Sequence, residues 1–112
     1  MDNKKTDQYY IDKIITDLTF IRTHTESLSK LKLEEDEILV DSIMFRLIQV
    51  AENSEKLTET YPSIPWRAIK GLRNRIVHEY GNVDLTIVYD TVKKDIPELI
   101  GILEGICRCK KE

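Results

Sequence analysis

Apolar residues along this chain recur at steps of three and four, the spacing of helices that bury one side. Ile11, Ile14, Ile15, Leu18, Ile21 and Leu28 mark the first such stretch, from about Gln8 to Leu28, with Thr6 or Asp7 as its cap. Lys13, Asp17, Arg22 and Glu26 fall largely off that stripe and read as outward-facing. Ser29 to Glu35 reads as a short polar connection. The second stretch starts near Glu34 or Asp36 and runs to Thr60, with Val40, Ile43, Met44, Leu47, Ile48 and Ala51 as its main stripe. Ile38, Leu39, Phe45, Val50 and Leu57 widen its apolar surface beyond one face, which predicts a central helix that also helps bury a subunit interface. Glu52 follows that apolar segment and either points toward the polar end of the next helix or stands as an ordinary exposed helix glutamate.

Tyr61 to Pro65 is a break, and Pro65 suits a first helical turn, where a missing N–H costs nothing. The third helix spans Trp66 to Tyr80, with Ala68, Ile69, Leu72, Ile76 and Val77 as its buried side. Gly81-Asn82 closes it, since both tolerate left-handed backbone. Asp84 caps the fourth stretch, in which Ile87, Val88, Val92, Ile96, Leu99, Ile100, Leu103 and Ile106 form the stripe. Pro97 lies inside it and predicts a kink or split near Asp95. With no internal repeat and no strand-period alternation, the pattern predicts an all-α antiparallel bundle of four to five helices.

A length of 112 residues predicts one domain over 1–112, with 1–8 as a flexible N-terminal end. Charged residues make up 33% and hydrophobic ones 41%, the balance of a helix-rich globular chain. No apolar run approaches the roughly 20 residues needed to cross a bilayer. The N-terminal residues lack the apolar core of a secretion signal, so the expected compartment is the cytoplasm, with no membrane partner. Cys107 and Cys109 are too close for a comfortable disulfide and supply only two of the four ligands of a structural zinc; they read as reduced thiols. His24 has no second ligand at metal spacing and reads as a helix-surface histidine.

The net charge is −3, which argues against a protein that coats nucleic acid by bulk charge. The distribution changes that picture. Between Pro62 and His78 the basic residues are Arg67, Lys70, Arg73 and Arg75, and no acidic residue occurs. A locally positive surface on an acidic body can attract a phosphate without binding polyanions indiscriminately, so Arg67, Lys70 and Arg75 are candidate phosphate contacts.

The same segment holds the candidate chemistry. Asn74 and His78 are four apart and lie on one helix face. Arg73 and His78 are five apart, roughly 140° around an ideal helix, and converge only if the last turn loosens and Arg73 reaches around. A neutral His can take a proton from a hydroxyl, and its protonated form can return one to a leaving oxygen. Arg can hold a phosphate bidentately and stabilise charge that grows in the transition state, and Asn can orient either group. These are the parts needed to cleave RNA by attack of the ribose 2′-hydroxyl on the adjacent phosphate. No H-x-x-x-H, glycine-rich phosphate loop or G-x-S-x-G is present, and neither a metal nor a cofactor is expected.

Arg73-Asn74-Arg75-Ile76-Val77-His78-Glu79-Tyr80 fits the pattern R-x-x-x-x-H-x-Y and resembles the motif of the HEPN superfamily, in the form seen in HepT-like toxins. The approach through Pro62-Ser63-Ile64-Pro65-Trp66, the exit through Gly81-Asn82-Val83-Asp84 and the segment Asp95-Ile96-Pro97-Glu98-Leu99 are similar to that family too. The resemblance implies a HEPN-like homodimer with a composite cleft, and a metal-independent endoribonuclease toxin with Arg73 and His78 as the catalytic pair and Asn74 in support. It implies an MntA-like nucleotidyltransferase antitoxin as partner, one that neutralises the toxin by AMPylation of Tyr80, and RNA as substrate. The alternative is a non-catalytic module that docks a nucleotidyltransferase and presents a nucleotide or Tyr80 to it.

Overall fold

Thr6 sets the first helix: its Oγ1 accepts the Tyr9 N–H at 3.2 Å, and the chain runs helical as α1 over Asp7–Thr25. The computed structural model describes residues 6–79 and 81–111, with side chains up to residue 107. α1 stops at Thr25, short of the expected Leu28, because Lys93 reaches in from later in the chain. Its ammonium donates to the Thr25 and Glu26 carbonyls at the helix end, where the Thr25 carbonyl also accepts the Leu28 N–H.

The stretch expected to be a polar connection is a short helix, α2, over Lys30–Glu35. Ser29 caps it through the Lys32 N–H at 3.2 Å, and the fully buried Leu33 ties it to the core. Asp36 then caps α3, accepting the Leu39 N–H at 3.0 Å, and α3 spans Glu37–Ser54. The helix ends earlier than its apolar stripe suggested. Ser54 turns its hydroxyl onto the Ala51 carbonyl at 2.8 Å, and residues 55–60 continue as turns that still bury Leu57.

Buried Ile64 and Trp66 anchor the chain before α4, which spans Arg67–Glu79. Pro65 lies just ahead of the helix rather than inside its first turn. Ile69, Leu72 and Ile76 form its buried side, whereas Ala68 and Val77, expected to join them, are exposed. Both sit roughly a quarter turn from the centre of the buried stripe, which admits three residues and leaves its flanks to solvent. Gly81 follows with φ of 96°, and the Asn82 N–H bonds the Glu79 carbonyl at 2.7 Å.

Asp84 caps α5, Leu85–Asp90, through the Thr86 N–H at 2.9 Å. The break expected near Asp95 takes the form of a π turn over Thr91–Asp95, in which the Ile96 N–H bonds the Thr91 carbonyl, before α6 runs over Ile96–Lys111. Pro97 offers no N–H and crowds the carbonyl four residues back, and the wider turn accommodates both.

The architecture is an all-α bundle with no strand among the described residues. α1 packs on α3 and α6, and α3 packs on α4, around one core. Asp17, expected to face outward, is buried between α1 and α3, where Arg46 binds its Oδ1 at 2.7 Å. Arg46 also lies over the Phe20 ring at 4.0 Å, so one side chain joins the two helices by charge and by stacking. Among the described residues, no helix is long and apolar enough to cross a membrane.

Candidate active site

α4 presents its buried side to the bundle and its polar side outward. Asn74 and His78 both lie on the exposed side, one turn apart. The helix stays regular through Glu79, so His78 sits on an ordinary turn rather than a loosened one.

Arg73 projects from the side of the helix toward α3. Its Nη1 lies 2.9 Å from Glu52 Oε1 and its Nη2 lies 3.1 Å from Glu55 Oε2. The side chain is 22% exposed, and its Nε is buried without a hydrogen-bond partner. Glu52 meets the polar end of α4, one of the two readings the sequence left open. Glu55 is a member of the cluster that the sequence reading missed; its signal is its place one turn after Glu52. Among the described residues no hydrogen bond joins Arg73 to His78. Within one chain, then, the guanidinium is aimed at α3 and the imidazole at solvent. Tyr80 lies outside the described residues.

The other basic residues divide. Arg67 and Arg75 are exposed, while Lys70 is half-buried and donates to Thr58 Oγ1 at 3.0 Å. His24 takes no part in this cluster: its Nδ1 pairs with the Phe20 carbonyl at 2.8 Å and its ring lies 4.1 Å from the Phe20 ring. Cys107 is a free thiol that accepts from Gln8 Nε2 at 3.4 Å, and the Cys109 side chain lies outside the described residues.

The family profile described as Ribonuclease HepT-like matches residues 14–106, a span that takes in α3, α4 and the whole cluster around Arg73. The chain belongs to the HepT-like ribonuclease family. With the family comes the class of activity, ribonuclease, and RNA as the class of substrate. The chain is 28% identical over 99 residues to a candidate RNase of Caldanaerobacter subterraneus subsp. tengcongensis, covering 85% of this chain and 88% of that protein. It is 41% identical over 46 residues to a candidate ribonuclease HepT of Thermococcus cleftensis, covering 41% of this chain and 42% of that one. A gamma-glutamylcyclotransferase and candidate RNase of Methanocaldococcus jannaschii is 27% identical over 100 residues; there 86% of this chain aligns with 45% of the longer protein. No solved structure matches the chain.

In this HepT-like chain the structure brings Arg73 together with Glu52 and Glu55, and it lines up Asn74 with His78 on the face beside them. The two sets of groups meet different surroundings, one packed against a helix and one open.

Proposed function

We propose that this HepT-like protein is a metal-independent endoribonuclease and the toxin of a toxin–antitoxin pair. The observation that carries this reading is an exposed imidazole, His78, on the same helix as Arg73, whose guanidinium two carboxylates hold in place. The His78 imidazole takes the proton of a ribose 2′-hydroxyl. The oxygen attacks the adjacent phosphorus, the bond to the 5′-oxygen breaks, and that oxygen leaves with a proton from an imidazolium. The products are a 2′,3′-cyclic phosphate end and a 5′-hydroxyl end, so a proton is moved and none is lost. Glu52 and Glu55 each engage one N–H of the five-donor guanidinium, and the remaining Nη protons serve the phosphate oxygens as charge builds on them. Asn74, one turn before His78, orients the imidazole or the phosphate.

A homodimer completes the site. Two copies supply two imidazoles, so one acts as base while its twofold mate acts as acid. Support for the dimer comes from apolar side chains that one chain leaves in solvent. Ile38 is 82% exposed, Phe45 59% and Val77 54%. An MntA-like nucleotidyltransferase is the proposed antitoxin, transferring AMP from ATP to the Tyr80 hydroxyl with release of pyrophosphate. The added phosphate and base, two residues beyond His78, repel and block an RNA phosphate.

Controlled expression in a bacterial host tests the role. Growth arrest with accumulation of cut RNA is expected for the native chain and not for His78→Ala. Equal growth of the two strains overturns the toxin reading.

A further inference from the structure

A groove of about 480 Å³ runs along the first turns of α4, and of its lining the mechanism above uses only Asn74. Ile64, Pro65 and Trp66 supply an apolar side, Arg67 and Lys70 supply two cations, and among the described residues no carboxylate lines it. Gly71 and Asn74 continue the groove along the helix toward His78. Around an ideal helix Arg67, Lys70, Gly71, Asn74 and His78 fall within an arc of roughly 100°, so the groove and the imidazole share one strip of surface.

Gly71 is the residue that asks for an explanation. It stands in the interior of α4, where glycine weakens a helix relative to alanine. A Cβ placed on it meets no atom within 4 Å, so the packing of this chain does not require a glycine there. What the missing side chain leaves open is bare helix backbone between Lys70 and Asn74, the kind of surface a ligand can approach closely.

We propose that this groove is a second RNA subsite, one that rests on the ribonuclease reading and extends it. It seats a nucleotide neighbouring the scissile bond, with the base over Gly71 against the apolar side and the phosphate on Arg67 and Lys70. The chemistry of the groove selects this occupant. A flat base fits an apolar wall, and an anion fits two cations with no acid between them. The Arg67–Lys70 end of the groove is a poor seat for the same end of a second copy, because like charges would face each other there, even when the two copies meet near His78. The adjoining depression shares Lys70 and Thr58 and adds Lys56, but Asp7, Glu55 and Glu59 also line it, so three carboxylates against two lysines favour the Arg67 side for a phosphate.

The chain's single tryptophan, Trp66, lines the groove and reports on it. The test titrates the full chain, in EDTA, with an end-labelled 2′-O-methyl oligoribonucleotide that cannot be cleaved. Trp66 emission, oligonucleotide anisotropy and particle mass are followed, beside cleavage of the matching RNA. The native protein is expected to show a saturable change in Trp66 emission. Gly71→Leu is expected to bind roughly tenfold more weakly, the worth of one seated base. It should also raise KM with kcat kept and melt at a higher temperature than the native chain. Arg67→Gln with Lys70→Gln is the second variant, should Gly71→Leu fail to fold; it is expected to weaken binding and lower the salt dependence by about two ions. If these variants bind and cleave like a cleaving native protein, the subsite is wrong and the ribonuclease reading stands. If Gly71→Leu changes the particle mass and loses binding only in proportion, the face is a contact between copies and the subsite is again wrong. If the native chain neither binds nor cleaves RNA, the ribonuclease reading itself falls.

Discussion

Arg73 Nη1 stands 2.9 Å from Glu52 Oε1, so the cation assigned to the scissile phosphate is already held by α3 before RNA arrives. Glu55 takes the other terminal nitrogen at 3.1 Å. The two carboxylates are 52% and 48% exposed, so water screens them and each pair contributes no more than ~1 kcal/mol. That is too little to hold the fold together and enough to choose the direction in which Arg73 points. Charge and position therefore act in opposite senses on catalysis. Replacing both residues by Gln is expected to lower KM, because two negative charges no longer oppose the phosphate. It is expected to lower kcat by roughly tenfold, because the guanidinium is no longer held in register. Steady-state kinetics on one RNA separates the two effects, and an unchanged kcat removes the positioning role.

His78 is exposed on the outer side of α4. His78→Ala is expected to leave stability within about 0.5 kcal/mol of the native chain while reducing cleavage by at least ~10²-fold. Arg73→Lys keeps the charge but loses the planar fork, and is expected to stay far below native activity. Urea melts beside cleavage assays check both; a collapse in stability for His78→Ala would recast it as a structural residue.

The sequence and the structure agree where a local rule decides and part where a distant partner does. Asp84 was legible as a cap, and Thr6 as one of two candidates, because a short acceptor side chain precedes each apolar repeat, and both accept a backbone N–H; Asp36, read only as a possible helix start, does the same. Pro97 was legible as a break, although only the structure shows it as a π turn. α2 escaped because its single buried residue, Leu33, makes no period. Asp17 was read as outward because its partner, Arg46, lies on another helix. At the site, R-x-x-x-x-H is visible in the letters. The turn of Arg73 toward Glu52 and Glu55 is not, because a spacing of five leaves the pair on different sides of α4.

Ile38 and Phe45 are seven apart on α3, share one face, and are both largely in solvent. If that face is where two copies meet, Phe45→Glu places charge in the contact. Light scattering is expected to show half the native particle mass, circular dichroism an unchanged helix content, and assays a loss of cleavage. A particle of unchanged mass would move the dimer contact elsewhere.

α4 is held by three side chains, so its position depends on each. Ile76 is fully buried, and Ile76→Ala is expected to cost about 2–5 kcal/mol, a large part of the stability of a domain this size. Gly81 has φ of 96°, a region that side chains avoid, and Gly81→Ala is expected to cost about 1–3 kcal/mol. Urea denaturation measures both. A Gly81→Ala protein as stable as the native one would mean that the turn after His78 relaxes freely.

The most direct measurement is cleavage of tRNA or mRNA by the purified protein in excess EDTA, native beside His78→Ala, with the product ends identified. The native chain should cut and leave a 2′,3′-cyclic phosphate and a 5′-hydroxyl, and the variant should be silent. Equal cleavage by the two proteins, or cutting that stops when divalent ions are removed, would contradict a mechanism built on the imidazole of His78 and the guanidinium of Arg73.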